Sequence, residues 1–140
     1  MIRIRIGDLV FAARFEAQRA PRTVEAFRRL LPYEQKLIQA RWSGFAAWVP
    51  LGDFRLDVGI ENATHYPSPG EILFYPGGLS ETEILVPYGR TAFASEQGPL
   101  AGNHFLTIVE GQEQFAELGR RLQWEGAQEI RFEPVEMPGA

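Results

Sequence analysis

The chain has 140 residues, of which 45% are hydrophobic and 23% charged, so it has the size and composition of one globular domain. It contains no cysteine, which excludes disulfides, a thiol nucleophile and thiolate metal sites. The formal net charge is −4, with nine Lys/Arg against four Asp/Glu in residues 1–50 and five against fourteen in residues 51–140. A basic segment within an acidic chain argues against nucleic-acid binding.

The sequence also lacks the features of a membrane or exported protein. No window approaches the roughly 18 apolar residues that a membrane-spanning helix needs. The N-terminus alternates Ile2, Ile4 and Ile6 with arginines and has no apolar signal core. We therefore expect a cytoplasmic protein with no membrane and no nucleic-acid partner.

The start of the chain predicts a β-hairpin followed by a helix. The alternation of isoleucine and arginine over residues 2–6 is typical of a half-buried strand, and a Gly-Asp turn separates it from a second strand over residues 9–15. Apolar residues fall at helical spacing over residues 23–31. Thr23, or the residue before it, is the expected N-cap, and Pro32 is the expected stop. We expect this helix to cover one side of a sheet or barrel.

The middle of the chain predicts a second hairpin. Residues 33–42 favour a strand or an extended arm, residues 55–60 a strand, and residues 62–68 a loop. Two short runs of strand-forming residues, 72–75 and 83–86, flank a Pro-Gly-Gly turn that is followed by hydroxyl and carboxylate side chains. We predict that this polar turn forms one wall of a pocket.

The C-terminal part predicts a strand, a helix and a final strand. The strand is expected over residues 105–109, the helix over residues 113–123, and the last strand over residues 128–133, beside the first strand of the chain. The sequence shows no domain boundary, internal repeat or low-complexity segment. We expect a single domain over residues 1–134 and a flexible tail over residues 135–140.

Three segments resemble the cyclophilin family. Residues 20–30, APRTVEAFRRL, are similar to the first-helix signature Ala-Pro-Lys-Thr-Val-x-Asn-Phe of cyclophilins. Residues 100–111, LAGNHFLTIVEG, resemble the segment Leu-Asp-Gly-Lys-His-Val-Val-Phe-Gly, and residues 70–73 give a weaker echo of a barrel strand. The chain resembles the small bacterial cyclophilin-like proteins of unknown function grouped as DUF3830 and related to the TM1367-like proteins. This resemblance implies a mostly β fold with two helices, in which a closed cyclophilin-like β-barrel is capped by the helices.

One segment departs from the cyclophilin pattern. Active cyclophilins carry a Phe-His-Arg triplet whose arginine stabilises the twisted proline amide, whereas this chain has Phe45, Ala46 and Ala47. The loss of a donor aimed at the reacting amide removes most of the rate of such an enzyme. The resemblance therefore implies the shape of the barrel but argues against prolyl isomerase activity.

The candidate ligand-binding residues come from the resemblance, from the polar turn and from the aromatic residues. The resemblance places Leu100 and His104 in the groove of the barrel. Glu81 and Glu83 are two residues apart, so on a strand their side chains share one face. The expected groove residues are His104, Asn103, Leu100, Glu81, Glu83, Ser80, Tyr75, Trp42, Phe45 and His65.

The same residues also have simpler interpretations. Paired glutamates can divide acid and base roles or bind a metal, but alternating glutamates also mark a solvated strand face. No His-x-His or His-x-x-x-His spacing accompanies Glu81 and Glu83, so we expect no metal, and nothing in the sequence indicates a cofactor. His65 lies in a proline-rich loop, where a histidine that only packs against its neighbours fits as well as a ligand.

Three functions remain open from the sequence. The first is binding, or assisting the conversion of, a small polar metabolite in the former isomerase groove. The second is a non-catalytic module for protein interaction or self-association, and we expect a homo-oligomer. The third is a residual prolyl isomerase, against which the missing arginine argues. The sequence identifies no catalytic residue.

Overall fold

The computed structural model describes residues 1–135, so residues 136–140 of the expected tail lie outside the described residues. In chain order the elements are β1 (Ile2–Ile6), β2 (Leu9–Phe15), α1 (Pro21–Arg28), β3 (Tyr33–Gln39), β4 (Gly44–Gly52), β5 (Ala63–Thr64), β6 (Glu71–Tyr75), β7 (Thr82–Thr91), β8 (Ala94–Ser95), β9 (Gly98–Pro99), β10 (Gly102–Glu110), α2 (Phe115–Trp124) and β11 (Gln128–Pro134). A single 3₁₀ turn, Gln112–Gln114, leads into α2.

Eight antiparallel strands close into a barrel. Their order around the barrel is β2-β1-β11-β3-β4-β7-β6-β10, and β10 pairs back to β2. The short β5 adds to β10 outside this ring. The predicted closed β-barrel with two helices is therefore confirmed, as are the hairpin β1–β2 and the position of the last strand beside the first. Neither helix of the described chain is long and apolar enough to cross a membrane.

Strand alternation decides which side chains fill the barrel. In β1 the isoleucines are buried and the arginines point outward, where Arg3 and Arg5 pair with Glu133 of β11. A strand exposes alternate residues to opposite faces, and β2 and β11 show the same alternation, whereas β6 and β7 are buried on both faces. The largest wholly buried side chains of the interior include Phe11, Phe27, Phe74, Phe105 and Phe132.

The helix α1 closes one side of the barrel through Phe27. The ring of Phe27 lies edge-on to Phe105 at 4.9 Å and to Phe132 at 5.1 Å between ring centroids. The expected capping by Thr23 is wrong: the N-cap is Ala20, which offers no side-chain acceptor. The carboxylate of Glu61 instead accepts the Thr23 backbone N–H at 2.6 Å, so a distant loop satisfies the first turn of the helix.

The second helix, α2, packs close against β7. Leu118 and Leu122 face the barrel and are buried. Between them, Gly119 lies directly against the ring of Tyr88, where a Cβ would overlap the ring. The glycine therefore permits the close approach of helix and strand, which a larger residue would prevent.

Residues 55–60 do not form the predicted strand. Leu56 and Val58 do turn inward and alternate with charged residues, which explains the prediction. However, Asp57 and Gly59 have φ values of 55° and 66°, which an extended strand does not contain. The segment is an irregular loop, and its backbone is bonded by side chains rather than by a neighbouring strand.

A second apolar cluster lies on the outer face of the barrel. We call it the outer-face cluster, and it consists of Ala46, Leu73, Tyr75, Leu85, Phe93 and Leu100, with Trp48 packed against it. The first members come from β4, β6 and β7, at positions that alternate with the barrel interior. Phe93 and Leu100 come from the segment around β8 and β9, which folds back over this face. This covering segment shapes the site described next.

Candidate functional site

A cavity of about 450 Å³ opens beside the outer-face cluster. Its walls are the end of β3 with the turn that follows it, the middle of β4, the start of β7, and the segment from β8 to the next turn. The residues that line it are Ile38, Ala40, Arg41, Trp42, Ser43, Trp48, Ser80, Glu81, Glu83, Ala94, Ser95, Glu96 and Gln97. The cavity has the size of pockets that hold small organic molecules, which are about 300–1,000 Å³.

Glu83 is the most unusual residue of this cavity. It lies in β7, in register with Pro50 of β4 and Tyr75 of β6, and is only 6% exposed. Within residues 1–135 no protein group makes a hydrogen bond to its carboxyl group. Burial, together with the negative charge of Glu81, raises the pKa of Glu83 to about 8. The carboxyl group therefore holds a proton at neutral pH while the cavity contains no ligand.

The second carboxylate, Glu81, lies at the rim of the same cavity. It is exposed, and its Oε2 accepts the backbone N–H of Gly52 at 2.9 Å. The two glutamates thus occupy different environments, one tied to the end of β4 and one buried without a partner. Strongly shifted carboxyl groups beside a cavity are a feature of binding and catalytic sites.

The turn that carries Ser80 is held by Tyr75. The Tyr75 hydroxyl accepts the backbone N–H groups of Leu79 and Ser80 at 3.0 and 3.3 Å. Gly77 and Gly78 reverse the chain with φ values of 92° and 128°, which glycine adopts readily. Tyr75 therefore shapes the cavity wall from behind, and Ser80 lines it.

The opposite rim is fastened by Ser43. Its hydroxyl donates to the carbonyl of Ala94 and accepts the N–H of the same residue, both at 3.1 Å. This pair of bonds joins the turn after β3 to β8. The ring of Trp42, which is 55% exposed, stands on that turn, and the half-buried Trp48 lies on β4. The cavity therefore combines two indole rings with a floor that contains a carboxyl group.

The structure places His104 and Asn103 away from this cavity. His104 is in register with Leu73 of the outer-face cluster, and neither His104 nor Asn103 lines the cavity. The His104 Nε2 contacts the hydroxyl of Thr107 at 2.7 Å, and that hydroxyl donates to Glu16 at 3.0 Å. Asn103 is wholly buried. His104 and Asn103 belong to polar networks on β10 that do not include Glu81 or Glu83.

Three further residues of the expected groove also lie outside the cavity. Leu100 is buried in the outer-face cluster, and the His65 Nδ1 bonds to its carbonyl oxygen at 2.8 Å. Phe45 is exposed on β4 and packs edge-on to Tyr88, with 6.4 Å between ring centroids. Of the ten expected residues, the structure brings together Ser80, Glu81, Glu83 and Trp42 around the cavity. A ligand role for any of the ten stays a prediction.

Several residues of the site carry no signal in the sequence. Arg41, Trp48 and the segment 94–97 line the cavity, and only Trp48 stands out from the sequence, as one of many central aromatic residues. The short polar run Ser95 to Gln97 has no pattern that indicates a binding site. In residues 1–135 no three His, Cys, Asp or Glu side chains are grouped in a way that could hold a metal ion.

Comparisons with known proteins show the fold and the family. A structure of McbB in complex with tryptophan is similar with a TM-score of 0.70 and 21% identity, over 100% of this chain and 46% of McbB. This chain therefore spans less than half the length of McbB. The solution structure of the hypothetical protein AF2241 from Archaeoglobus fulgidus is similar with a TM-score of 0.61 and 18% identity, over 96% of this chain and 93% of AF2241.

Both solved structures are cyclophilin-like fold proteins, and at these identities the likeness shows the fold alone. No curated protein matches the sequence. The family described as "Protein of unknown function (DUF3830)" matches residues 2–133, which is nearly the whole chain. The chain belongs to the DUF3830 family.

Proposed function

We propose that this protein binds a small organic molecule in the cavity between β4, β7 and β8, and that the molecule combines a flat apolar part with polar groups. The observation that carries the proposal is the Glu83 carboxyl group, which is 6% exposed, lines the cavity, and has no hydrogen-bond partner in the described chain. A buried polar group without a partner is costly, so its retention beside a cavity of ligand size supports a partner supplied by a ligand.

The other residues that line the cavity suit a ligand with both apolar and polar parts. Trp42 and Trp48 offer flat apolar surface, while Ser80, Ser95 and Gln97 offer hydroxyl and amide groups. Mostly apolar pockets with a few placed polar groups are typical of small-molecule sites. The structural neighbour McbB was solved in complex with tryptophan, so L-tryptophan is one reasonable member of a ligand screen.

We propose no reaction for this site. Ala46 and Ala47, which stand where active cyclophilins have histidine and arginine, are both wholly buried and offer no donor to a substrate. Binding is therefore the function that the cavity supports best. Self-association and the cellular location stay predictions.

The proposal is tested with a variant that fills the cavity. Ala94 lines the cavity, whereas Ala92 is exposed two residues earlier and does not. Ala94→Phe should abolish ligand binding and Ala92→Phe should retain it. The measurement is the shift in Tm of wild type and both variants against a panel of amino acids, amines, carboxylic acids and nucleosides, since a ligand stabilises the folded state in proportion to RT ln(1 + [L]/Kd). If no compound shifts the wild type more than Ala94→Phe, the proposal is wrong.

A further inference from the structure

The chemistry of the cavity points to a more specific class of ligand. Resting on the proposed function, we infer that the ligand is an organic cation whose ammonium group lies against Glu83, with its carbon skeleton on the indole rings of Trp42 and Trp48.

The charges around the cavity favour a cation. Glu81, Glu83 and Glu96 contribute three carboxyl groups to the lining, against the single guanidinium group of Arg41. Glu81 and Glu96 attract a positive ligand and repel a negative one, and Glu83 adds a third negative charge when the cation displaces its proton. Arg41 stands on the exposed turn at the rim, where it remains available for a second, negative group of a zwitterion.

The position of Glu83 supplies the specific contact. Glu83 is more than nine-tenths buried, on the floor of the cavity, and in the described chain neither carboxyl oxygen accepts a hydrogen bond. Tyr75, its neighbour across the sheet, uses its hydroxyl oxygen to accept the N–H groups of Leu79 and Ser80 and makes no hydrogen bond to Glu83 in the described chain. A carboxylate removed from water needs hydrogen-bond donors and a compensating positive charge. An ammonium group supplies both, with three N–H donors and one full positive charge.

The two tryptophans suit the rest of such a ligand. Trp42 is 55% exposed, although large aromatic residues are normally buried more deeply, and it lines the same cavity as Trp48. Indole faces attract ammonium groups more strongly than other aromatic rings do, and they also cover flat apolar groups. A carboxylate floor with aromatic walls is therefore complementary to an amine on an apolar skeleton.

The affinity of the cavity for an amine should depend on pH. Because burial raises the pKa of Glu83 to about 8, an incoming ammonium group displaces a proton at neutral pH. The charged groups that line the cavity with Glu83 are Arg41, Glu81 and Glu96. Affinity for an amine should rise by up to about tenfold per pH unit between pH 6 and 8, while alkylammonium groups remain charged up to about pH 9. A ligand that accepts a hydrogen bond from the protonated carboxyl group would show the opposite trend.

The test uses probes that share a skeleton and differ in charge. Tryptamine and indole-3-propionate form one pair, and phenethylamine and 3-phenylpropionate form another. Titration calorimetry at pH 6, 7 and 8, in two buffers of different ionisation enthalpy, gives the affinity and the protons released. We expect each amine to bind at least tenfold more tightly than its carboxylate, with release of a proton that approaches one per ligand at pH 6.

Substitutions then assign the effect to Glu83. Glu83→Gln keeps the shape and removes the charge, so amine affinity at pH 8 should fall at least tenfold and lose its dependence on pH. Glu25→Gln removes an exposed carboxylate on α1, outside the cavity, and is expected to bind the amines as the wild type does.

The outcomes separate this inference from the proposed function. If the carboxylates bind as tightly as the amines, or if amine affinity falls as pH rises, the ligand is not a cation, while the cavity remains a ligand site. If neither these probes nor any compound of the wider screen binds, both the cation inference and the proposed function are wrong.

Discussion

Asn103 and Glu83 are two buried polar residues of the same barrel that differ in hydrogen bonding. Asn103 is 0% exposed, and its amide is fully used: Nδ2 donates to the Thr23 hydroxyl at 3.1 Å and to the Gly59 carbonyl at 2.9 Å, while Oδ1 accepts the Glu61 N–H at 3.1 Å. Glu83 is 6% exposed and has no such bond in the described chain.

The difference separates the structural role of Asn103 from the binding role that we propose for Glu83. The Asn103 amide joins β10 to helix α1 and to the loop of residues 59–61, so its bonds hold three parts of the fold together. The Glu83 carboxyl group makes no hydrogen bond to another part of the described chain, and it lines a cavity. A largely buried carboxyl group that lines a cavity and has no protein partner is a candidate for a contact supplied from outside the protein. Each prediction below would strengthen or weaken this distinction.

The largest effect is expected from Asn103→Leu. This change leaves the Glu61 N–H, the Thr23 hydroxyl and the Gly59 carbonyl without a partner, so the free energy of unfolding should fall by about 3–5 kcal/mol. Thr23→Val removes only one of these contacts and should cost about 1–2 kcal/mol. Urea unfolding measures both. A loss below about 1 kcal/mol for Asn103→Leu would show that the network is not structural.

The second effect concerns the stability of Glu83→Gln as a function of pH. The folded-state pKa of about 8 lies above the ordinary value of 4.5, so between these values the folded protein holds a proton that the unfolded chain has lost. Wild-type stability therefore falls as pH rises through this range, by at most about 1.4 kcal/mol per pH unit. Glutamine does not titrate and avoids this loss.

We therefore expect Glu83→Gln to be more stable than wild type by about 2–4 kcal/mol at pH 8, and by much less at pH 5. Urea unfolding at both pH values measures the difference. Glu83→Leu serves as a second non-titrating variant and should show the same pH trend. If the gap between Glu83→Gln and wild type does not change with pH, Glu83 is not the buried acid that the structure indicates. A substitution that stabilises the protein and removes binding would fit a functional residue.

A smaller effect is expected from Tyr88→Phe, which tests a second satisfied buried group. The Tyr88 hydroxyl donates to Gln39 Oε1 at 2.6 Å and accepts from Gln123 Nε2 at 2.9 Å, so it links β3, β7 and α2. Its removal should cost about 1–2 kcal/mol in thermal or urea unfolding. Tyr66→Phe is the control, because Tyr66 is 72% exposed. Equal effects at the two tyrosines would contradict the structural role of the Tyr88 hydroxyl.

Much of the fold could be predicted because it depends on local alternation. The isoleucines of β1 and the two runs that became β6 and β7 specify strands by their own pattern, and the structure confirms both hairpins. Residues 55–60 show the limit of this reasoning. Leu56 and Val58 alternate with charges, but bonds from Asn103, 42 or 44 residues away, and left-handed φ values hold the segment as a loop.

The site was less predictable because long-range packing forms it. Glu81 and Glu83 stood out by their spacing, and both line one cavity. The other wall exists only because Phe93 and Leu100 bury themselves in the outer-face cluster and bring residues 94–97 over it. Nothing local in that polar segment indicates where it lies. The similarity to cyclophilins drew attention to His104, which does not line the cavity.

The smallest effect on stability, and a clear effect on binding, is expected from Trp42→Ala. Trp42 is 55% exposed and lines the cavity, so its removal should change the free energy of unfolding by less than about 0.5 kcal/mol. If the indole ring covers the ligand, the affinity for tryptamine should fall by about tenfold, as for loss of a cation–π contact. Trp124→Ala, which removes an 82% exposed tryptophan of α2 outside the cavity, is the matched control and should leave both quantities unchanged. A large loss of stability with unchanged binding would place Trp42 with Asn103 among the structural residues, and would leave Glu83 as the sole residue that distinguishes the cavity from the rest of the surface.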